Sequence, residues 1–164
     1  MSNISGVQGN TSLFKQTYKK MLSLGEAALG ADFTMTVEGY PDLQYLIQAF
    51  GIPAMKREPV ETFGPHGVKF VQQGKYEGSV EIPVTFREAV AGNAFQAIKS
   101  WIKDKQYLEV TLTLTSESNS IGNDAHNWII EDAWLELDNV DLSVEDGAVP
   151  LKPSGTLHGT YYPE

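Results

Sequence analysis

Three histidines, His66, His126 and His158, are the first residues to ask for chemistry. A catalytic zinc motif sets two imidazoles one helical turn apart, and a hydrolase sets its nucleophile in a Gly-x-Ser-x-Gly turn. Neither pattern occurs, and the three histidines are far apart, so each reads as an ordinary turn, loop or strand residue. The chain has no cysteine, which removes a disulfide framework, a thiolate metal site and a thiol nucleophile. Glu58, Glu61 and His66 carry the groups of an acid and a base, but they fall on or near a hairpin tip rather than a cleft and read as surface charge. In the polar run Ser116 to Asn127, residues Glu117, Asn119, Asn123, Asp124 and His126 offer donors to a cation. They match no calcium-loop spacing and lack the terminal bidentate Glu, so the run reads as a solvated connection. Gly74-Lys75-Tyr76-Glu77-Gly78 is rich in glycine without opening a helix. It lacks the amide cradle that phosphate needs and reads as a turn. P-loop and dinucleotide fingerprints are absent as well. The expectation is a protein without catalytic residues, metal or cofactor.

The elements around these residues are better defined. In Ser79 to Phe86, Val80, Ile82, Val84 and Phe86 alternate with polar or small residues, the period of a half-buried strand. Phe95, Ile98 and Ile102 then recur at spacings of three and four, widened by Ala94, Ala97 and Trp101 into the stripe of an amphipathic helix. We expect Phe95, Ile98, Trp101 and Ile102 to be its core contacts. Leu108, Val110, Leu112 and Leu114 alternate with Glu109, Thr111, Thr113 and Thr115 in a second strand. A helix this short must bury its stripe on a sheet, part of which these flanking strands supply.

Earlier in the chain, a polar lead from Met1 to Asn10 precedes a helical pattern, Phe14, Tyr18, Met21 and Leu22, with Thr11 or Ser12 as N-cap and Gly25 or Gly30 as stop. That helix either packs on its own domain or forms an arm that reaches a neighbouring subunit. Phe33, Met35 and Val37 mark a strand closed by Gly39-Tyr40-Pro41-Asp42. Leu43, Leu46, Ile47 and Phe50 have near-helical spacing, ended by Gly51 and Ile52-Pro53. Met55 to Gln73 reads as a hairpin around Gly64-Pro65-His66-Gly67, with Pro59 on an edge or ahead of the strand. Trp128 to Leu137 is a further strand. The alternation of Val140, Leu142 and Val144 predicts another, and Thr156 to Tyr161 the last. Many short strands and one definite helix make an all-β barrel or sandwich with a helix over one side.

A length of 164 residues suits one domain, and the charge of −9 argues against a protein that wraps nucleic acid. No apolar run approaches a membrane span, and the polar start lacks the regions of a signal peptide, so a soluble protein made in the cytoplasm is expected, with no membrane anchor.

In the order of its elements the chain resembles the tail tube proteins of contractile-tailed bacteriophages, which share the Hcp-like barrel of type VI secretion. The resemblance rests on the strand ending in Gly39-Tyr40-Pro41, the Ile52-Pro53 break, and the hairpin through Phe63 to Phe70. It continues through Gly74-Lys75-Tyr76-Glu77, the strand closing in Thr85-Phe86, the Phe95-x-x-Ile98-x-x-Trp101 helix and the strand through Thr156 and Leu157. It covers roughly residues 31 to 162. It implies a mainly β fold: an Hcp-like β-barrel or sandwich over residues 31–164, one flanking amphipathic helix, an extended hairpin, and an N-terminal arm or helix over 1–30. It further implies a structural virion protein whose subunits form stacked rings, six to a ring, around a lumen through which DNA passes without specific binding, with tail sheath and baseplate proteins as partners. The virion tail would be its location, with assembly in the host cytoplasm. On that reading Val60, Phe63, Pro65, Val68 and Phe70 carry ring-to-ring contact, although such a hairpin could instead fold back on its own core. Glu77, Glu81, Glu109 and Glu131 are the candidates to line the lumen, where carboxylates would repel phosphate. A secreted Hcp-like ring or a tube-initiating baseplate ring fits the same pattern. A small-ligand or carbohydrate-binding barrel, a compact monomer with an apolar pocket, is the rival of another class, and an enzyme of unrecognised type is third.

Overall fold

A computed structural model describes residues 11–25, 27, 30, 32–114, 127–145 and 147–163. The polar lead and the cation-donor run through His126 lie outside these residues. The chain divides into two compact units, Met1–Ala31 and Asp32–Glu164. The described part of the first is helix α1 (Thr11–Leu24), which ends at Gly25 in a left-handed conformation and buries none of its residues. Phe14, Tyr18, Met21 and Leu22 are all exposed.

The second unit is mostly β. Its elements run β1 (Phe33–Val37), a 3-10 helix (Pro41–Tyr45), β2 (Ile47–Phe50), β3 (Arg57–Phe63), β4 (Lys69–Tyr76), β5 (Ser79–Phe86), α2 (Asn93–Lys103), β6 (Leu108–Leu114), β7 (Asn127–Leu137) and β8 (Ser154–Thr160). Six strands form one antiparallel sheet in the order β1-β6-β7-β8-β5-β2, and β3 pairs only with β4. The larger sheet curls into a nearly closed barrel because β7 serves both halves. Its first half pairs with β6 and its second with β8, across a register shift between Glu131 and Trp134 where Asp132 takes φ 50°. Such a bulge bends a strand and raises its twist. Gly159 lies where a β-carbon would strike the Ile130 side chain, which lets β8 close on this bend.

The core follows from the alternation. Val80, Ile82, Val84 and Phe86 from β5 meet Met35, Val37, Val110, Leu112, Ile130, Leu135 and Leu157 inside the barrel, together with Ile98 and Trp101 from α2. The start of α2 is held by Glu88, whose carboxylate accepts from the backbone N–H of Ala94 (3.1 Å) and Phe95 (2.7 Å), two donors that a helix leaves unpaired. At the other end Trp101 Nε1 donates to the Gln106 carbonyl (3.2 Å), and the Tyr40 hydroxyl reaches Gln106 Oε1 (2.8 Å), tying the helix exit to the end of β1.

Four expectations need correction. The helical spacing of Leu43 to Phe50 splits into one 3-10 turn that buries Leu43 and a strand pairing Ile47 with Phe86 and Phe50 with Val84. The edge of β5 is open to a ladder there, and four residues carry too little period to oppose it. Val140 to Val144 forms no strand. Asp138 N–H donates to the Ser154 carbonyl, after which the chain leaves the sheet; β8 already has β5 and β7 on its two sides. Gly74 to Tyr76 continues β4 instead of turning. A β-carbon at Gly74 would meet the Glu58 carbonyl at 2.7 Å, so this glycine marks close approach across a hairpin irregularity. Finally, Ile102 is no core contact: it is 45% exposed, whereas Trp101 is 1% exposed. Phe95 is half-buried, and the buried face of α2 is Ala94, Ile98 and Trp101.

Candidate functional site

Among the described residues no cluster of three His, Asp or Glu side chains could hold a metal ion, and no helix is long and apolar enough to cross a membrane. What the molecule offers is surface of two kinds.

The first is the β3–β4 hairpin. Its tip is set by Gly64 N–H donating to the Val68 carbonyl (2.8 Å), with His66 (φ 63°) and Gly67 (φ 72°) both left-handed between them. At the base Arg57 Nη1 donates to the Gly74 carbonyl (3.1 Å), and Lys56 pairs with Glu77 (3.4 Å). Directly opposed residues share a face, so the register puts Val60 and Phe70 on one side and Phe63 and Val71 on the other. Every residue of β3 is exposed, as are the Pro65 and Val68 of the tip; Phe63 is 71% and Phe70 59% exposed. The hairpin therefore does not fold back on the core, and its apolar side chains stand on both faces.

The second is the outer face of the six-stranded sheet. Glu81, Glu109 and Glu131 point away from the core on β5, β6 and β7, all exposed. Glu77 is set apart, at the hairpin root beside Lys56. Sequence reasoning missed Glu136, which joins this face on β7, although its alternation with Leu135 and Leu137 would have placed it there. Thr111, Thr113, Thr156 and Thr160 fill much of the rest. No Lys or Arg stands on any strand of the six-stranded sheet. An ordered cluster surrounds His158. Its Nε2 lies 2.9 Å from Glu136, its Nδ1 3.6 Å from Glu81, and its ring stacks on Trp134 at 4.1 Å and 10°. Cross-strand register produces this: His158 sits opposite both Glu81 and Trp134. The cluster ties β7, β8 and β5 together on the face away from the core.

An antiparallel barrel with a flanking helix and a projecting hairpin is the tail-tube fold. Several solved tube, cap and tail structures share it. A chain of the PVC sheath–tube complex, from an extracellular contractile injection system in its extended state, matches with a TM-score of 0.65 at 13% identity, over 85% of this chain and 92% of that one. A chain of the anti-feeding prophage cap, the AFP tube-terminating cap, matches with a TM-score of 0.66 at 16% identity, over 82% and 88%. The tail of an empty GTA particle, of C6 symmetry, matches with a TM-score of 0.55 at 13% identity, over 82% and 95%. No protein-family model and no curated protein sequence matches the chain.

Proposed function

We propose that this chain is a structural, non-catalytic subunit of the tail tube of a contractile particle, assembling into stacked homo-oligomeric rings, six copies to a ring. The observation that carries the reading is the hairpin. A two-stranded ribbon has no core of its own, and one with Phe63 and Val71 on one face and Phe70 and Val60 on the other calls for partners on both sides. Rings stacked through such hairpins supply them. The six-fold symmetry of the GTA tail and of an anti-feeding prophage baseplate, a further match with a TM-score of 0.51, supports six copies. The outer sheet face would line the lumen. With Glu81, Glu109, Glu131 and Glu136 on it and no cation on its strands, it repels phosphate, so DNA moves through during ejection without sticking. Sheath and baseplate proteins are the expected outer and terminal partners, and the virion tail, assembled in a host's cytoplasm, the location.

A second reading, a ring that starts or ends the tube, is favoured by the matches to a tube-terminating cap and to a sheath/tube terminator. Light scattering and negative-stain microscopy of the purified protein test both. Rings that stack into tubes support the main subunit, and rings that stay single support a terminal ring. A mass of one subunit at high concentration, with neither rings nor tubes, would reject both.

A further inference from the structure

Two of the corrected elements have complementary chemistry. Ile102 is exposed because it stands between two shallow cavities that share it and Leu137. One, about 380 Å³, is lined by Phe95, Ile98, Lys99 and Lys103 besides these two. The other, about 530 Å³, adds Tyr107, Trp134, Lys105 and one acid, Glu136. Together they make an apolar groove along the outer side of α2, edged by Lys99, Lys103 and Lys105 against the single carboxylate of Glu136. The segment 138–145 is the opposite. Leu142 and Val144 are exposed, Asp138, Asp141 and Glu145 are exposed acids, and apolar and polar residues alternate as in a strand that has found no ladder.

We infer that segment 138–145 of one copy binds the α2 groove of a second copy. Charge selects this pairing: an acidic, apolar, extended peptide fits a lysine-edged groove, whereas helix α1, with Lys15, Lys19 and Lys20 and no acidic residue, would be repelled from it. The hairpin carries charges of both signs, Glu58 and Glu61 against Arg57 and Lys69, and has no such preference. The segment does not fill its own groove. It lies instead against Val149 to Lys152 of its own chain, with Leu142 and Val144 turned to solvent. A groove on one surface that receives a peptide from another is a heterologous contact, the kind that closes a ring. The inference rests on the self-association proposed above but not on the hairpin.

The absence of native cysteine makes a direct test available. Ile102→Cys and Leu142→Cys are made in separate preparations, mixed and oxidised, since a disulfide forms only when the two α-carbons come within about 7 Å. The expected product is a cross-linked dimer holding one copy of each variant, absent when Ser79→Cys replaces Leu142→Cys. Phe95→Cys serves as a second groove position. Adding Lys99→Glu and Lys103→Glu to the groove copy should lower the yield about tenfold, and adding Asp141→Lys and Glu145→Lys to the other copy should restore it. No mixed dimer from either groove position, or the same yield with Ser79→Cys, overturns the inference. A disulfide that forms only when both cysteines are on one chain assigns the groove to its own segment and overturns it too. Microscopy of the same samples separates the two readings: rings without the mixed dimer reject only the groove contact, the mixed dimer without rings rejects only the rings, and neither rejects both.

Discussion

Strands β5 and β8 and strands β3 and β4 are both antiparallel pairs built of alternating residues, yet they solve burial differently. In the first pair Val80, Ile82, Val84, Phe86 and Leu157 all face one side and vanish into the barrel, while Glu81, Thr156 and His158 stay outside. In the second, Val60, Phe63, Phe70 and Val71 occupy both sides of a ribbon and all four remain exposed, and only at its root does Tyr76 pack on the Tyr162 ring. A one-sided pattern can be satisfied inside a single chain. A two-sided one on two strands cannot, because such a ribbon has no second layer to cover either face. The contrast therefore separates residues that hold the subunit together from residues that the subunit itself leaves uncovered.

The largest effect on the subunit is expected at the centre of the barrel. Trp101 is fully buried and its ring nitrogen is bonded, so Trp101→Ala should cost about 3–5 kcal/mol of unfolding free energy in a denaturant titration. A loss below about 1 kcal/mol would mean that α2 is not part of the cooperative core. Next comes charge on the sheet face. Replacing Glu81, Glu109, Glu131 or Glu136 by Lys should raise DNA retention by assembled tubes about tenfold at low salt, with the gain fading as salt rises. Glu77→Lys, at the hairpin root, is the control that should do less. Equal retention across all five would remove the lining from the sheet face. A smaller change is expected at the helix start, where Glu88→Ala leaves the N–H groups of Ala94 and Phe95, and that of Ala89 in the loop, without their acceptor and should cost about 1 kcal/mol, measured in the same titration. A cost near that of Trp101→Ala would show that Glu88 anchors the whole loop rather than capping α2.

Much of the barrel was legible because its period is clean: β1, β5 and β6 lie where two-residue alternation placed them, α2 where spacings of three and four did, β7 where a run of bulky apolar residues did, and β8 where the run after Lys152-Pro153-Ser154 was read as the last strand. The failures have a common cause. Ile47 to Phe50 is a strand only because the edge of β5 is available, and Val140 to Val144 is none because β8, the strand beside which it leaves the sheet, is paired on both sides. Pattern reports which residues could share a face, and long-range pairing decides whether a ladder forms. Glu88 was invisible for a similar reason: its carboxylate acts on N–H groups six and seven residues away, after a loop whose path the sequence does not reveal. The hairpin residues were legible as apolar. That they stay exposed depended on which side of the molecule the ribbon leaves, which no local signal carries.

The smallest effect on the subunit, and the one that sharpens the contrast most, is expected at the hairpin. Phe63 and Phe70 are as large and apolar as the buried Phe86, so residue type alone would predict a comparable cost on truncation. Their exposure predicts otherwise. Side chains already in water in the folded subunit lose almost no burial when removed, so Phe63→Ser with Phe70→Ser should change unfolding free energy by less than about 0.5 kcal/mol. In an assembly the same pair would be covered on both faces of the ribbon, and each buried Phe contributes about 1.5–3 kcal/mol before association costs. Repeated around a ring, that loss is enough to abolish stacking. The double variant should therefore unfold like the wild type and form no tubes in the electron microscope, and replacing Val60 to Phe70 by a short Gly-Ser turn should do the same. Tubes of normal length from either protein would take the hairpin out of the ring-to-ring contact. A subunit that no longer folds would show that the ribbon belongs to the barrel's own stability, and the distinction between the two strand pairs would fail.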